Sequence, residues 1–307
     1  MQRQGKVIRS TGKWYKVAVD DEIIDCRLPG KFRLRDEQVT NPVAVGDDVE
    51  IKIESSDGAG TITEIKERKN YIPRKATRNR WGEQILVANI DMAWVVQSIR
   101  QPRLKQGFID RFLVSCEAYE IPVGILINKV DLAKKKDHDR INEIRETYQS
   151  IGYKVLSVSA EQQDTIEPLI NELKDKTSVF IGHSGVGKTS LINAVKPGLD
   201  LRVGEVSKQS EKGRHTTTFA TLIPLFENSF IVDTPGIREF GLVNIEPAEL
   251  SLFFPEMLPY RENCKFYNCT HFHEPQCGVA AAFEEGLIDP ERYNSYLNIL
   301  ESLEEQS

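Results

Sequence analysis

From Lys6 to Glu67 apolar and polar residues alternate in short runs, VIRS, WYKVAVD, EIIDCRL, DDVEIKIE and GTITEIKE, punctuated by Gly, Pro, Asn and Asp. A repeat of two is the period of a half-buried strand, because successive side chains on a strand point to opposite faces. Five such runs predict a small barrel. An OB-fold has that strand count, and its sheet face and loops commonly hold oligonucleotides. A β-module that only packs on its neighbour has the same count.

From Ile85 to Phe240 the pattern changes. Apolar runs (MAWVVQSI, VGILIN, KVLSVS, SVFIGH, FATLIPLF, FIVDT) are interspersed with amphipathic stretches such as GFIDRFLVSCEAYE and DRINEIRETYQSIG, the latter with Ile141, Ile144, Tyr148 and Ile151 at helical spacing. Alternating strands and helices predict a mainly parallel sheet covered on both faces. Beyond Gly241 the chain is broken by Pro247, Pro255, Pro259, Pro275 and Pro290, yet AAAFEEGLI and PERYNSYLNILESLEEQ read as helices. The second enters through a proline at a first-turn position. The expected fold class is multidomain α/β: a barrel over residues 1–68, a covered sheet over 69–240 and a helical segment over 241–307. The last is small and interrupted, and needs something further to hold it together.

Composition sharpens this picture. A chain of 307 residues is long for one core, and 40% hydrophobic with 28% charged residues is far from the composition of disordered chains. The net charge of −6 argues against a general nucleic-acid binder. Its distribution is uneven, however. Residues 66–80 carry seven basic residues against Glu67, with Tyr71 and Trp81 interleaved in ERKNYIPRKATRNRWGEQ, whereas residues 278–307 carry seven acids against Arg292. The basic stretch reads as a linker with an RNA-directed footprint, or as plain solvated surface. The start MQRQGKVIRSTGKWYK lacks an apolar leader, and no run approaches the roughly 18 apolar residues of a membrane span. A cytoplasmic protein with no membrane contact is expected. Cys26 and Cys116 read as buried free thiols.

The stretch GHSGVGKTS (Gly182, His183, Ser184, Gly185, Val186, Gly187, Lys188, Thr189, Ser190) fits the phosphate-loop pattern G-x-x-x-x-G-K-[ST], with an apolar strand before it and the helical TSLINAV after it. Glycines let backbone N–H groups turn toward phosphates, Lys188 reaches the β and γ groups and Thr189 can hold Mg²⁺. In FIVDTPG, Asp233 ends an apolar strand and Gly236 follows three residues on. An acid there holds Mg²⁺, here through water, and the glycine N–H senses the γ-phosphate. Between them GEVSKQSEKGRHTTTFATL reads as a switch loop in which Thr216, Thr217 or Thr218 offers a second hydroxyl to Mg²⁺; Thr217 is the preferred residue.

NKVD, residues 128–131, follows the strand-like VGILIN. It would therefore sit at a strand's carboxyl end, where open parallel sheets bind ligands. The Asp131 carboxylate can accept from guanine N1–H and the exocyclic amine, a donor pair adenine lacks. Asn128 supports the base edge and the Lys129 stem covers its plane. Ser159 and Ala160, at the end of SVSA, resemble the backbone element that supports the base. Five elements of a guanine-nucleotide hydrolase are thus present in the order base reader, base support, phosphate loop, first switch, second switch. The edge of a sheet is indifferent to where the chain is cut, so this order reads as a circular permutation.

CKFYNCTHFHEPQC supplies Cys264, Cys269, His271 and Cys277, three thiols and an imidazole, enough for one structural tetrahedral zinc; His273 is a rival ligand. Such a site can hold a small domain together.

A barrel, a hydrolase permuted in this order and a Cys-x4-Cys-x-His-x5-Cys knuckle together resemble the ribosome small-subunit-dependent GTPase family, bacterial small-subunit biogenesis factors. The resemblance rests on NKVD, GHSGVGKTSL, GRHTTT, DTPG and the zinc cluster, and covers nearly the whole chain. It implies GTP hydrolysis stimulated by the small (30S) subunit, with the OB and zinc domains contacting 16S rRNA during late maturation. In familiar GTPases a glutamine after DxxG orients the attacking water. Ile237 stands there and has no polar atom, so His215 is the nearest catalytic candidate; an RNA contact is its other reading, and rRNA or ribosomal protein could supply the group instead. An RNA-binding scaffold with a mainly structural nucleotide site, and a phosphate-loop enzyme for another nucleotide, are the competing readings. A monomer is expected.

Overall fold

The computed structural model describes residues 2–11, 14–20, 22–33, 42–53, 58–74, 84–201, 220–233 and 245–305. The five alternating runs form β1 (Gln2–Ser10), β2 (Tyr15–Val19), β3 (Glu22–Arg27), β4 (Asp48–Ile53) and β5 (Gly60–Ile65). They pair in the order β1-β2-β3-β5-β4, and β4 returns to β1 to close the barrel. Val7, Tyr15, Val17, Val19, Cys26, Val49, Ile51 and Ile62 fill its interior. Cys26 and Cys116 are both fully buried free thiols.

The apolar runs of the middle region become β8 (Met92–Ser98), β9 (Val123–Asn128), β10 (Lys154–Val158), β11 (Thr177–Ile181), β12 (Thr221–Phe226) and β13 (Ser229–Asp233). Among the described residues four α-helices lie between them: α1 (Gln106–Ala118), α2 (Lys135–Ser150), α3 (Gln163–Leu173) and α4 (Lys188–Val195). Every residue of β8 and β9 is buried, as expected of strands covered on both faces. On one face Val95, Ile125 and Ile127 pack with Ile109, Phe112 and Leu113 of α1 and Ile141, Ile144 and Tyr148 of α2. On the other, Trp94, Val96 and Leu126 meet Ile166, Leu169 and Leu173 of α3 and Leu191 and Val195 of α4. Each fully buried aliphatic side chain contributes about 1.5–3 kcal/mol, so the two layers dominate the stability of this region.

Strands run β10-β9-β8-β11-β13-β12 across the sheet, parallel except for β12. The phosphate-loop strand β11 is central although it comes late in the chain. The sheet does not end at β12. Arg9 of β1 pairs with Thr221, so the barrel strands and the central sheet form one continuous 11-stranded ladder.

The stretch read as a basic linker turns out to be partly internal framework. Arg68 donates to both carboxylate oxygens of fully buried Asp47, at 2.7 and 2.8 Å, and Lys66 pairs with Glu50 and Glu64. Next to them β6 (Tyr71–Arg74) pairs with β7 (Gln84–Ala88). These cations neutralise neighbouring barrel acids, which a count of basic residues does not reveal. Lys75, Arg78, Arg80 and Trp81 lie outside the described residues.

The carboxyl-terminal segment contains a 3-10 turn (Pro247–Phe253) and helices α5 (Leu258–Arg261), α6 (Gly278–Glu284) and α7 (Pro290–Glu304). Its core of Leu250, Phe254, Met257, Val279, Tyr296, Ile299 and Leu300 also takes in Val114 of α1, so the segment is seated on the central domain. Asp289 caps α7 through the N–H groups of Glu291 and Arg292, and Pro290 occupies the first turn.

Candidate nucleotide site and metal centre

The sequence motifs lie in loops leaving the carboxyl edge of the parallel strands. Here β9 ends at Asn128, β10 just before Ser159, β11 just before Gly182 and β13 at Asp233. The phosphate loop needs glycine at two positions for reasons of space. A Cβ at Gly182 would collide with the Val96 carbonyl, and one at Gly187 with the Asn128 side-chain amide; Gly187 also has φ of +95°.

Asn128, 1% exposed, donates from Nδ2 to the Val186 carbonyl at 2.7 Å, a contact spanning 58 residues of sequence. Its Oδ1 is a buried acceptor without a hydrogen-bond partner among the described residues. Lys129 adopts a left-handed conformation, and its Nζ donates to the carbonyls of Gly185 and Gln101, both at 2.6 Å. Base reader and phosphate loop are therefore fastened directly to each other. Asp131 is exposed, and its Oδ1 accepts from the hydroxyl of fully buried Ser159 at 2.5 Å. The Ser159 N–H donates to Thr165 Oγ1 at 2.8 Å, which ties this serine to α3, and Ala160 follows half-buried.

Lys188 Nζ folds over the phosphate loop and donates to the carbonyls of Gly182 (2.7 Å) and His183 (3.0 Å). Thr189 and Ser190 follow it, half-buried, in the first turn of α4; Ser184 and Gly185 are exposed. The His183 ring lies against Phe108 of α1, tilted by 42° with ring centres 4.2 Å apart. Partial desolvation, helped by Lys105 and Lys188, lowers its pKa from the ordinary imidazole value. Burial raises the carboxyl pKa of Asp233; a cation beside it would act in the opposite direction. Gly236, His215 and Thr217 lie outside the described residues, as do Thr216, Thr218 and Ile237.

Far along the chain, the ligand atoms of Cys264, Cys269, His271 and Cys277 all lie within 4.8 Å of one another. Cys264 Sγ is 3.9 Å from Cys277 Sγ, and His271 Nδ1 is 3.5 and 3.4 Å from those two sulfurs. A tetrahedral zinc at ordinary bond lengths needs S···S of about 3.8 Å and N···S of about 3.6 Å, so the donor set fits this metal. His273 is exposed and stands outside the cluster.

The second sphere is built as well. His271 Nε2 lies 3.1 Å from Ser251 Oγ, which fixes the ring orientation. Glu274 accepts from the N–H and hydroxyl of Thr270 and from the N–H groups of Phe272 and His273, clamping the knuckle shut. Tyr293 and Tyr296 of α7 donate to the carbonyls of His271 and Thr270, at 2.7 and 2.6 Å. Sequence reasoning singled out the four side chains that cluster here but not these supports. Glu274, inside the knuckle, was the one with a local signal; Ser251 and the tyrosines reach it from elements whose packing sequence spacing does not show.

A second unforeseen feature joins this segment to the central sheet. Arg292, on α7 and fully buried, donates to Asp110 of α1 at 2.7 Å and to both oxygens of Glu256, at 2.6 and 3.1 Å. Tyr148 of α2 donates to the same Asp110 oxygen. Burial works against the guanidinium, but the two carboxylates outweigh it and raise its pKa.

The 182–190 loop, fastened to an NKVD stretch that precedes it in the chain on one edge of a parallel sheet, gives the arrangement of a circularly permuted GTPase. The profile described as RsgA GTPase matches residues 65–243 and that of the RsgA N-terminal domain residues 4–62. The chain belongs to the RsgA GTPase family and is a GTP hydrolase. It is 44% identical over 303 residues to the small ribosomal subunit biogenesis GTPase RsgA of Bacteroides fragilis, covering 98% of this chain and 97% of that one. The Christiangramia forsetii protein of the same name is 42% identical over 305 residues, with 98% and 97% covered. The crystal structure of YjeQ from Thermotoga maritima superposes with a TM-score of 0.83 at 34% identity, covering 99% of each chain. That of YloQ, described as a circularly permuted GTPase, gives 0.79 at 31%, covering 100% of this chain and 96% of that one.

Proposed function

We propose that the protein is a cytoplasmic, monomeric GTPase that binds the small ribosomal subunit through 16S rRNA, monitors late maturation, is stimulated by the subunit and leaves after hydrolysis. The observation that carries the nucleotide half is the direct bond of Asn128 and Lys129 to the phosphate loop. The relatives' names, which specify small-subunit biogenesis, support the ribosomal half. So does the knuckle surface, where Tyr267 is 99% and Phe272 59% exposed, since exposed rings suit stacking on unpaired bases. Among the described residues no helix is long and apolar enough to cross a membrane.

In this reading the domains run 1–68, 69–240 and 241–307, and nucleotide contacts come from Asn128, Lys129, Asp131, Ser159, Ala160, the 182–190 loop, Asp233 and Gly236. The hydroxyls of Thr189 and Thr217 would hold Mg²⁺, with Asp233 acting through water; the ion offsets phosphate charge. Cys264, Cys269, His271 and Cys277 would hold one structural zinc.

Titrating GTP turnover with purified small subunits tests the function. Turnover rising with subunit concentration, and tighter subunit binding with a nonhydrolysable GTP analogue than with GDP, are expected. A flat titration removes the ribosomal half and leaves the scaffold reading. His215→Ala is expected to lower the subunit-stimulated kcat by about a hundredfold with little change in GTP affinity. An unaltered stimulated rate eliminates His215 as the water-positioning group.

The base assignment has its own test. Asp131→Asn replaces an acceptor of two guanine donors and should weaken GTP binding by about tenfold to a hundredfold while admitting xanthine nucleotides, as read by calorimetric titration. Equal loss for both nucleotides would show that Asp131 shapes the loop rather than reads the base.

A further inference from the structure

The loop of residues 99–105, between β8 and α1, faces the first turn of α2 across a cleft of about 350 Å³. The cleft is lined by Ile99, Arg100, Gln101, Arg103, Lys136 and Asp137. Its charge is almost entirely of one sign. Asp137 is the acid among the lining residues, and Arg100 Nε already donates to it at 2.7 Å. Arg103 and Lys136 are exposed, and so, beside the cleft, are Lys105, Lys134 and Lys135. Nearby Glu143 is paired with Arg140, which leaves exposed Asp139 as the local counter-charge on α2.

One phosphate does not need five exposed cations on two separate segments. A polyanion with a charge at every residue does, and backbone phosphates attract such a surface regardless of sequence. The whole chain is negative at −6, so this concentration of positive charge runs against its composition.

Position gives the cleft its consequence. Inside the loop, the Gln101 carbonyl accepts from Lys129 Nζ at 2.6 Å, and the same ammonium holds the Gly185 carbonyl of the phosphate loop. Pro102 borders Gly185 too: its Cδ is 3.8 Å from where a Cβ on that glycine would stand. Any pull on the 99–105 loop therefore reaches both the base reader and the phosphate loop through one side chain.

We propose that this cleft docks RNA backbone phosphates and that its loop transmits the contact to the nucleotide site through Gln101 and Lys129. The proposal rests on the reading that the partner is small-subunit RNA, and adds which face of the GTPase domain meets it and how binding is sensed. Coupling of this kind is reciprocal, so subunits that alter nucleotide affinity must themselves bind differently according to the nucleotide.

The test compares the full-length wild type with Arg103→Glu/Lys136→Glu and with Lys154→Glu/Lys174→Glu, an equal charge change at exposed positions away from the nucleotide edge. Purified small subunits are the probe. Arg103→Glu/Lys136→Glu should keep basal turnover and GTP affinity, bind subunits about tenfold or more weakly, and show a salt dependence shallower by about 1 for each phosphate no longer held. At subunit concentrations raised to restore occupancy, its stimulated turnover and the subunit-induced change in GTP affinity should remain below wild type. The control pair should match wild type. Unchanged subunit affinity in the cleft variant, or an equal loss in the control, overturns the docking site; full stimulation at restored occupancy overturns the transmission. A wild type that neither binds nor responds to subunits defeats this proposal and the function it rests on together.

Discussion

Chelating the zinc that the Cys264, Cys269, His271 and Cys277 cluster would hold, or replacing Cys277 with Ser, should open the 264–277 knuckle and melt the helix that follows it. Cys277 is more than a ligand: it caps α6, its Sγ accepting the Ala280 N–H at 3.3 Å, and with Cys269 it is part of the segment's buried core. Opening the knuckle also withdraws the Thr270 and His271 carbonyls from the hydroxyls of Tyr296 and Tyr293, which sit on α7. Structural zinc supplies on the order of 10 kcal/mol in peptides with little other core. Here Leu250, Phe254, Ile299 and Leu300 remain, so the loss should be severe but local. Hydrogen exchange should show α6 amides exchanging near unprotected rates while β8 and β9 stay protected. GTP affinity should hold within about twofold, because the knuckle's described hydrogen bonds run to Ser251, Tyr293 and Tyr296 and not to the phosphate loop. Retained α6 protection after chelation would mean that the apolar core alone holds the segment, and the cluster would then be dispensable for its fold.

Arg292→Ala should cost about 3–5 kcal/mol, the usual penalty for leaving buried charges without their partner. Two carboxylates, Asp110 and Glu256, would be stranded at once, and the Arg292 guanidinium would also vacate its place 4.6 Å from the Phe254 ring. The expected readout is early unfolding of α7 in urea, followed by fluorescence and exchange. Asp110→Ala should be damaging too. Because both changes break one network, the double variant should lose less than the sum of the singles. Strict additivity would show that the pair is not coupled and that docking rests on Val114 and its apolar neighbours.

How much of this was legible from sequence depended on the range of the contacts. Local periodicity was enough for the barrel strands, for β8 to β11 and for α7, whose proline and Asp289 mark its start. Motif spacing singled out the 182–190 loop and the Cys264, Cys269, His271 and Cys277 cluster, although what makes glycine necessary at 182 and 187 is the Val96 carbonyl and the Asn128 side chain, both far back in the sequence. Burial misled the reading of residues 66–74: Arg68 looks like surface charge until Asp47 is found beneath it. The carboxyl-terminal core was underestimated because its apolar residues are scattered over prolines and short turns and converge only in three dimensions. Arg292 appeared as the lone cation in an acidic tail; its partners are 182 and 36 residues away, and no local pattern announces them.

The Arg9–Thr221 pair, which joins barrel to central sheet among the described residues, also sets an order of events during synthesis. Arg9 and Thr221 are 212 residues apart (221 − 9). At about 5–20 residues per second, the first strand waits roughly 10–40 s for its neighbour to leave the ribosome. The barrel closes on itself through β1 and β4 and can form in that interval. Its free edge meets β12 only after the phosphate loop and the base reader have been made. The β1–β12 pairing is thus a late contact on the growing chain, made well after the Val45–Val87 bridge and the Ala88 to Val45 hydrogen bond that already tie the barrel to the strand following it.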